Sequence, residues 1–256
     1  MKAAFFDIDG TLVSFRTHRI PQSAINAIGR LRQRGVKVFI ATGRPRPFID
    51  NLGELEYDGI ISVNGASCRM EDGTVISSVP VDKVDLVRLM DYCKDTPIPI
   101  AFATDDTAFL NMESPEVTDV FSLLHIPKPV IRPIEHCLDV NVMQVIAFFS
   151  AEQERHIMDN VLTGCVSHRW HPSFTDVIAK GNSKSTGIDA VLRHCGIDLS
   201  EALAFGDGGN DIPMLRHVPH SVAMGNASDE VKQAARYVTD TVDNDGIAKF
   251  IDKFFD

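Results

Sequence analysis

Short runs of apolar residues alternate along the chain with segments whose apolar residues recur at helical spacing. Residues 2–8 form one such run and end in an Asp-Gly-Thr turn, the pattern of a buried parallel strand that enters a loop. Helical spacing follows Pro21, and Gly35 can end that helix with a left-handed residue. Further apolar runs at 36–41 and 57–63 are predicted strands. This order indicates βαβ units and a parallel sheet flanked by helices.

The same alternation returns near the end of the chain, whereas the middle has a different pattern. Late helices are predicted over 183–194, 212–215, 229–235 and 246–255, and late strands over 202–205 and 221–224. The middle predicts a hairpin at 67–80, helices at 82–94 and 151–162, and strands at 100–104, 142–149, 165–170 and 175–178. The sequence therefore predicts an α/β sheet interrupted by an α+β insert of about 100 residues.

Composition narrows the class of protein. Hydrophobic residues make up 44% of the 256 positions and charged residues 23%, which excludes collagen-like, disordered and disulfide-scaffold chains. No stretch approaches the roughly 18 apolar residues of a membrane-spanning helix. Asp7 and Asp9 interrupt the first apolar run, so no signal peptide and a cytoplasmic location are predicted. The net charge of −10, with no basic run, argues against a nucleic-acid partner.

Acidic residues fall where two of the predicted strands end. Asp7 and Asp9 close the first strand, and Asp207 and Asp211 lie in the loop and first turn after a later one. Ligands bind at the carboxyl ends of strands in an open parallel sheet. Four carboxylates at one edge would repel each other strongly unless a divalent cation neutralised them, and such oxygen ligands favour Mg²⁺.

Each chemical motif, taken singly, also has a plain structural interpretation. Asp-x-Asp-Gly is a common turn sequence, and Thr42 could simply cap the turn that follows its strand. Lys184 could be a solvated helix residue, and the segment 206–211 could be only a flexible loop. Three glycines beside three polar residues in that loop nevertheless suit a close approach of the backbone to an anion or metal. No single motif is decisive.

The order and spacing of the motifs resemble those of the haloacid dehalogenase superfamily, specifically its Cof-type, sugar-phosphatase-like branch. Four motifs carry the resemblance along essentially the whole chain. They are Asp7-Ile-Asp9-Gly10-Thr11, Thr42-Gly43-Arg44, Lys184, and the ten residues from Gly206 to Leu215 that begin Gly-Asp-Gly-Gly-Asn-Asp.

The resemblance implies a role for each motif residue. Asp7 would be the nucleophile that forms an aspartyl-phosphate, and Asp9 the general acid and then the base. Mg²⁺ would be held by Asp7, the backbone carbonyl of Asp9, and Asp207. The phosphoryl group would be bound by Thr42, the Gly43 amide and Lys184. Asn210 and Asp211 would support the metal shell or the phosphate, with the division between them left open.

Motif spacing also implies where a cap domain lies. About 30 residues separate Thr11 from Thr42, which leaves no room for a cap, whereas about 140 separate Arg44 from Lys184. This arrangement resembles the C2B cap class. It implies a Rossmann-like, doubly wound catalytic core at 1–81 and 183–256 and a C2B cap at 82–182, which would set substrate choice.

We therefore predict a Mg²⁺-dependent phosphomonoester phosphatase that acts on small phosphorylated metabolites, most readily sugar phosphates. Alternatives within the same class are phosphatases of flavin-precursor or pyridoxal phosphates and a phosphomutase. A non-catalytic phosphometabolite sensor is a further alternative, which the retained acidic residues disfavour. Arg169 or His171 could contact the substrate from the insert, although structural roles are the simpler interpretation. Neither a nucleic-acid nor a membrane partner is predicted, and the sequence leaves the oligomeric state open.

Overall fold

The computed structural model describes residues 1–124 and 126–255, which form two compact units. The core unit consists of Met1–Arg44, Ile49–Ser77 and Ser183–Asp256. The insert unit consists of Pro45–Phe48 and Ser78–Asn182. No helix in the described part of the chain has both the length and the apolar character needed to cross a membrane.

Fourteen strands and eight α-helices are found among the described residues. The strands are β1 (Ala3–Phe6), β2 (Lys37–Ala41), β3 (Gly59–Ser62), β4 (Ser67–Met70), β5 (Val75–Ser78), β6 (Ile100–Ala103), β7 (Ala108–Leu110), β8 (Val130–Ile131), β9 (Gln144–Ala147), β10 (Cys165–His171), β11 (Phe174–Ala179), β12 (Ala202–Gly206), β13 (His220–Ala223) and β14 (Tyr237–Val238). The helices are α1 (Gln22–Gln33), α2 (Lys83–Asp95), α3 (Pro115–Leu123), α4 (Ala151–Asn160), α5 (Lys184–Cys195), α6 (Ile212–His217), α7 (Asp229–Ala234) and α8 (Gly246–Phe255).

The core unit is built on one sheet whose strand order is β14-β13-β12-β1-β2-β3-β4-β5. All neighbours from β14 to β3 are parallel, and β4 runs antiparallel to β3. From β1 the chain builds outward to one side and later returns to the other side, so β1 is a topological switch point. The predicted doubly wound α/β fold is confirmed. Because β12, β1, β2 and β3 are parallel neighbours, their carboxyl ends meet at one edge.

Alternate side chains of β1 enter the two apolar layers that cover this sheet. Phe6 stacks on Phe205 at 4.8 Å between ring centroids, in the layer that α1 and α8 complete. Phe5 stacks on Phe39 at 5.1 Å, in the layer shared with α5, α6 and α7. A strand buried on both faces has no polar side to display, which explains the continuous apolar run in the sequence.

The insert unit is an α+β structure around a second sheet, with strand order β10-β11-β9-β6-β7-β8. Its neighbours are antiparallel except for β7 and β8. Helices α2 and α4 cover one face and α3 the other. All three helices begin at side-chain caps: Asp82 accepts the Val84 amide, Ser114 accepts the Val117 amide, and Ser150 forms a reciprocal capping box with Gln153.

The sequence interpretation was incomplete between residues 104 and 141, where it assigned no element and the structure has β7, α3 and β8. Helix α3 had a readable signal, since Ser114 caps it, Pro115 opens it, and residues 117, 120 and 121 form its buried face. The strand predicted at 142–149 is also shorter, because β9 pairs over only four residues with β6 and three with β11.

Candidate active site

A buried ion pair joins the end of β1 to the start of α5. Asp7 follows β1 directly, and Lys184 is the first residue of α5, whose N-cap is Ser183. The Lys184 Nζ lies 2.5 Å from the Asp7 Oδ1, and the lysine side chain is completely buried. Gly65, with φ +96°, permits this meeting, because a Cβ there would lie 2.1 Å from the Ser183 carbonyl oxygen.

Three carboxylates gather around this lysine. Oxygen atoms of Asp7, Asp207 and Asp211 all lie within 4.8 Å of one another. The Asp211 Oδ1 is also 2.5 Å from the Lys184 Nζ, while its Oδ2 accepts the backbone amides of Asp207 and Gly208 at 2.8 and 2.9 Å. The loop after β12 thus folds around the Asp211 carboxylate, which holds Asp207 against the other acids.

Asp207 is held from two further directions. Thr11 donates its hydroxyl to the Asp207 Oδ1 at 2.8 Å, and Asn226 donates its amide to Oδ2 at 3.1 Å. Gly10 lies against the same carboxylate with φ +82°, and a Cβ on it would fall 2.1 Å from the Asp207 Oδ2. The glycine of the first motif therefore allows the loops after β1 and β12 to touch.

Charge in this cluster is unbalanced, because three carboxylates face one ammonium group. Burial, followed by the neighbouring Asp211 charge, raises the pKa of Asp7 well above its usual range, although Lys184 opposes the shift. Burial likewise raises the pKa of Asp207 to about 6. For Lys184, Asp211 and Asp7 outweigh the opposing effect of burial and raise the pKa, so the lysine stays charged. The excess negative charge and the all-oxygen donor set fit a divalent cation.

Polar groups from β2, β3 and β12 lie side by side at the same edge. Thr42 is buried, and its hydroxyl accepts the Arg44 amide at 3.1 Å, which leaves the hydroxyl proton for another acceptor. A Cβ on Gly43 would lie 3.1 Å from the carboxamides of both Asn64 and Asn210. Those two side chains bond to each other, Asn210 Nδ2 to Asn64 Oδ1, at 3.0 Å.

The turn after β3 is conformationally strained. Val63 and Asn64 have φ values of +50° and +48°, a region that β-branched residues rarely occupy. Such residues cost of order 1 to 3 kcal/mol each, and they persist where the surroundings enforce them. Here the turn is held because Asn64 donates its amide to the Thr42 carbonyl, while Val63 donates to the Arg44 carbonyl.

Asp9 lies apart from the carboxylate cluster and is paired with Arg44. The Arg44 Nε donates to the Asp9 Oδ2 at 2.7 Å, and Nη2 donates to Oδ1 at 2.7 Å. Both side chains are partly exposed. This two-bond arrangement fixes the plane of the carboxylate as well as its position.

All eight residues singled out in the sequence lie in the core unit, on loops that follow β1, β2 and β12 and at the start of α5. The structure groups Asp7, Lys184, Asp207 and Asp211 in one cluster, Asp9 on Arg44, and Asn210 beside Thr42-Gly43. Four further residues contact the site although the sequence analysis gave them no role: Thr11, Arg44, Asn64 and Asn226. Both asparagines do follow predicted strands directly, at Asn64-Gly65 and Gly225-Asn226, and that placement was the available signal.

Arg169 of the insert unit is committed to structural contacts. Its guanidinium donates to the Glu154 carboxylate at 2.5 Å and to the backbone carbonyls of Phe149 and Pro172 at 2.7 and 2.9 Å. These bonds join the ends of neighbouring strands to α4. The interpretation of Arg169 as a packing residue therefore fits this geometry better than a substrate contact does.

The chain is similar to known proteins along nearly its whole length. Residues 4–251 match the model of the haloacid dehalogenase-like hydrolases. YkrA of Bacillus subtilis (strain 168) is 34% identical over 250 residues, which cover 96% of this chain and 95% of YkrA. The 5-amino-6-(5-phospho-D-ribitylamino)uracil phosphatase YitU of the same organism is 28% identical over 264 residues, 97% of this chain and 96% of YitU. The solved structure of the subclass IIB sugar phosphatase BT4131 is 41% identical, with a TM-score of 0.88 over 100% of this chain and 99% of that chain.

Proposed function

The chain belongs to the haloacid dehalogenase-like hydrolases and is a phosphatase, and we propose that it is a Mg²⁺-dependent phosphomonoesterase that acts on sugar phosphates through an aspartyl-phosphate. The observation that carries the proposal is the buried Asp7, held by Lys184 inside a cluster with two more carboxylates. A carboxylate fixed in this way is oriented for attack on phosphorus.

The proposed reaction has two displacements. In the first, an Asp7 oxygen bonds to phosphorus while the bond to the leaving alcohol breaks, and Asp9 gives that alcohol a proton. In the second, Asp9 takes a proton from water, whose oxygen attacks the phosphorus and releases phosphate from Asp7. The sum is one ester hydrolysed by one water, and both aspartates return to their starting states.

The phosphoryl group is bound by groups that donate hydrogen bonds. Two of the three Lys184 N–H bonds go to Asp7 and Asp211, so the third can reach a phosphoryl oxygen. The Thr42 hydroxyl and the Gly43 amide stand at the end of the neighbouring strand. These donors would stabilise the negative charge that develops on the equatorial oxygens.

The metal would be held by Asp7, the Asp9 backbone carbonyl and Asp207, with Asp211 supporting them through its bonds to the loop. When bound, Mg²⁺ supplies positive charge that screens the acidic cluster from the anionic substrate. The imbalance of three carboxylates against one ammonium group supports this assignment.

Sugar phosphates are the favoured substrates because BT4131, a sugar phosphatase, is similar over the full length of the chain. The similarity to YitU supports flavin-precursor phosphates as a second candidate. We propose further that residues 82–182 form the cap, which chooses among leaving groups while the core unit supplies the chemistry.

The test is phosphate release from a panel of sugar phosphates, ribitylaminouracil phosphate, pyridoxal phosphate and nucleotides, with Mg²⁺ or with EDTA. We expect release that needs the metal and that Asp7→Asn lowers by at least about 1,000-fold, because a carboxamide is a very weak nucleophile. Asp198→Asn, on an exposed turn of the core unit, is the control and should leave release unchanged. Release that survives in Asp7→Asn would contradict the mechanism, and isomerisation without release would favour a phosphomutase.

A further inference from the structure

Arg44 and Asp9 form a forked ion pair whose arginine is itself held firmly by the backbone. Both carboxylate oxygens of Asp9 accept from the guanidinium at 2.7 Å. The Arg44 amide donates to the Thr42 hydroxyl, and its carbonyl accepts from the Val63 amide at 3.1 Å. The backbone that carries the guanidinium is therefore fixed by residues at the ends of two neighbouring strands.

We infer that Arg44 is a positioning residue for Asp9, holding its carboxylate where it can exchange a proton with the leaving alcohol and later with water. This inference rests on the proposed function, in which Asp9 is the acid and base. An aspartate side chain that is 34% exposed would otherwise sample several rotamers. The fork removes that freedom, yet each oxygen keeps a second position, which can carry the proton given to the alcohol or accept one from water.

The chemistry of the leaving group separates this role from others. The alkoxide of a sugar is a poor leaving group and needs a proton as it departs, whereas 4-nitrophenolate leaves without one. A residue that orients the general acid therefore affects sugar phosphates far more than 4-nitrophenyl phosphate. A residue that binds the phosphoryl oxygens, or that only supports the fold, affects both substrates alike.

The experiment measures kcat and KM for Arg44→Ala and Arg44→Lys on a hexose 6-phosphate and on 4-nitrophenyl phosphate, with Mg²⁺ present. For Arg44→Ala we expect kcat on the sugar phosphate to fall by roughly 10- to 100-fold, against less than about threefold on the aryl phosphate. KM should change less than about twofold on either. Arg44→Lys should recover only part of the loss, because an ammonium group cannot make the fork.

A double-mutant cycle shows whether Arg44 acts through Asp9. Asp9→Asn and Asp9→Asn with Arg44→Ala should have the same kcat on the sugar phosphate, since no acid remains to be positioned. Arg32→Ala is the matched control. Arg32 pairs with Asp58 at 2.8 Å in the same unit and is 29% exposed against 27% for Arg44, so its loss should not depend on the leaving group.

Several outcomes would overturn the inference. Equal losses on the two substrates, a KM raised on both, or independent losses in the cycle would each do so. If Arg44→Ala does not unfold cooperatively, Arg44→Lys replaces it. The loss of kcat on the sugar phosphate relative to that on the aryl phosphate then decides in the same way. If the wild-type protein releases phosphate and Asp7→Asn does not, an unselective Arg44→Ala defeats only this inference. If the wild-type protein releases none, the proposed function falls and this inference with it.

Discussion

Asp211 of the core unit and Asp85 of the insert unit are both buried and both accept backbone amides, but the charge around the two carboxylates differs. In the core unit, Asp211 accepts two loop amides with one oxygen and Lys184 with the other. In the insert unit, the Asp85 Oδ2 accepts the Gly164 amide at 2.8 Å, and its Oδ1 lies 3.3 Å from an Arg88 nitrogen. Both carboxylates have the hydrogen-bond partners that burial requires.

The difference lies in the surrounding charge. Asp85 is paired with Arg88, whose side chain is 49% exposed and also bonds to the Thr163 hydroxyl. Asp211 shares a completely buried lysine with Asp7, and Asp207 adds a third negative charge. A buried carboxylate whose charge is balanced by its partners stabilises the fold. An excess of one charge lowers stability, and it is typical of sites where a ligand of opposite charge binds.

Removing the lysine should have the largest effect, because it takes away the only positive charge found in the cluster among the described residues. For Lys184→Met, we expect the free energy of unfolding measured in EDTA to fall by about 3 to 5 kcal/mol, and phosphate release measured with Mg²⁺ to be lost. Urea unfolding measures the first and the phosphate assay the second. Arg88→Met is the matched change in the insert unit and should cost less than about 1 kcal/mol, since Arg88 is itself half exposed to solvent and Asp85 keeps its hydrogen bond from the Gly164 amide. Similar costs for the two variants would contradict the comparison.

The cluster could be predicted from the sequence because each member stands at a strand end or a helix start. Asp7 and Asp207 follow apolar runs that the sequence predicts as strands of one parallel sheet, and Lys184 opens a helix. The parallel order brings such positions to one edge, whatever the loops do. The parallel sheet flanked by helices followed from the same alternation of runs, and the family resemblance implied the doubly wound core. The similarity to BT4131 agrees with both.

The pairing of Arg44 with Asp9 could not be predicted in this way. The two residues are 35 positions apart, and the arginine backbone is held by the strained turn at Val63 and by the Thr42 hydroxyl. No propensity rule places a β-branched residue at a positive φ. Asp85 was equally hidden, because a charged residue in the first turn of a helix normally faces solvent.

Neutralising the two buried acids separates activity from stability. We expect Asp211→Asn to lower kcat by roughly 100-fold, because Lys184 loses one of its two anchors, and a small misplacement of a catalytic group is costly. Its stability should change by less than about 1 kcal/mol, since relief of repulsion offsets the lost bond. Asp85→Asn should instead lose about 1 to 3 kcal/mol of stability and keep kcat. Phosphate assays with urea unfolding test both, and a loss of kcat in Asp85→Asn would contradict the distinction.

The smallest change that still distinguishes the regions is one methyl group beside each carboxylate. A Cβ on Gly164 would lie 2.7 Å from the Asp85 Oδ2, and one on Gly206 would lie 2.5 and 2.6 Å from the Asp211 Cγ and Cβ. The contact with Asp85 is at the end of its side chain, which can rotate away. The contact with Asp211 is at its Cβ and Cγ, next to the backbone, so the whole loop must move.

We therefore expect Gly164→Ala to lower the free energy of unfolding by about 1 kcal/mol without changing kcat, and Gly206→Ala to lower it by about 1 to 3 kcal/mol. Gly206→Ala should also lower kcat by roughly tenfold or more, because the loop that it displaces carries Asp207. Urea unfolding and phosphate release on the same preparations give both quantities. If Gly164→Ala lowered kcat as much as Gly206→Ala, disturbing a balanced carboxylate would matter as much as disturbing the charged cluster. The inference that the excess negative charge matters for catalysis would then be wrong.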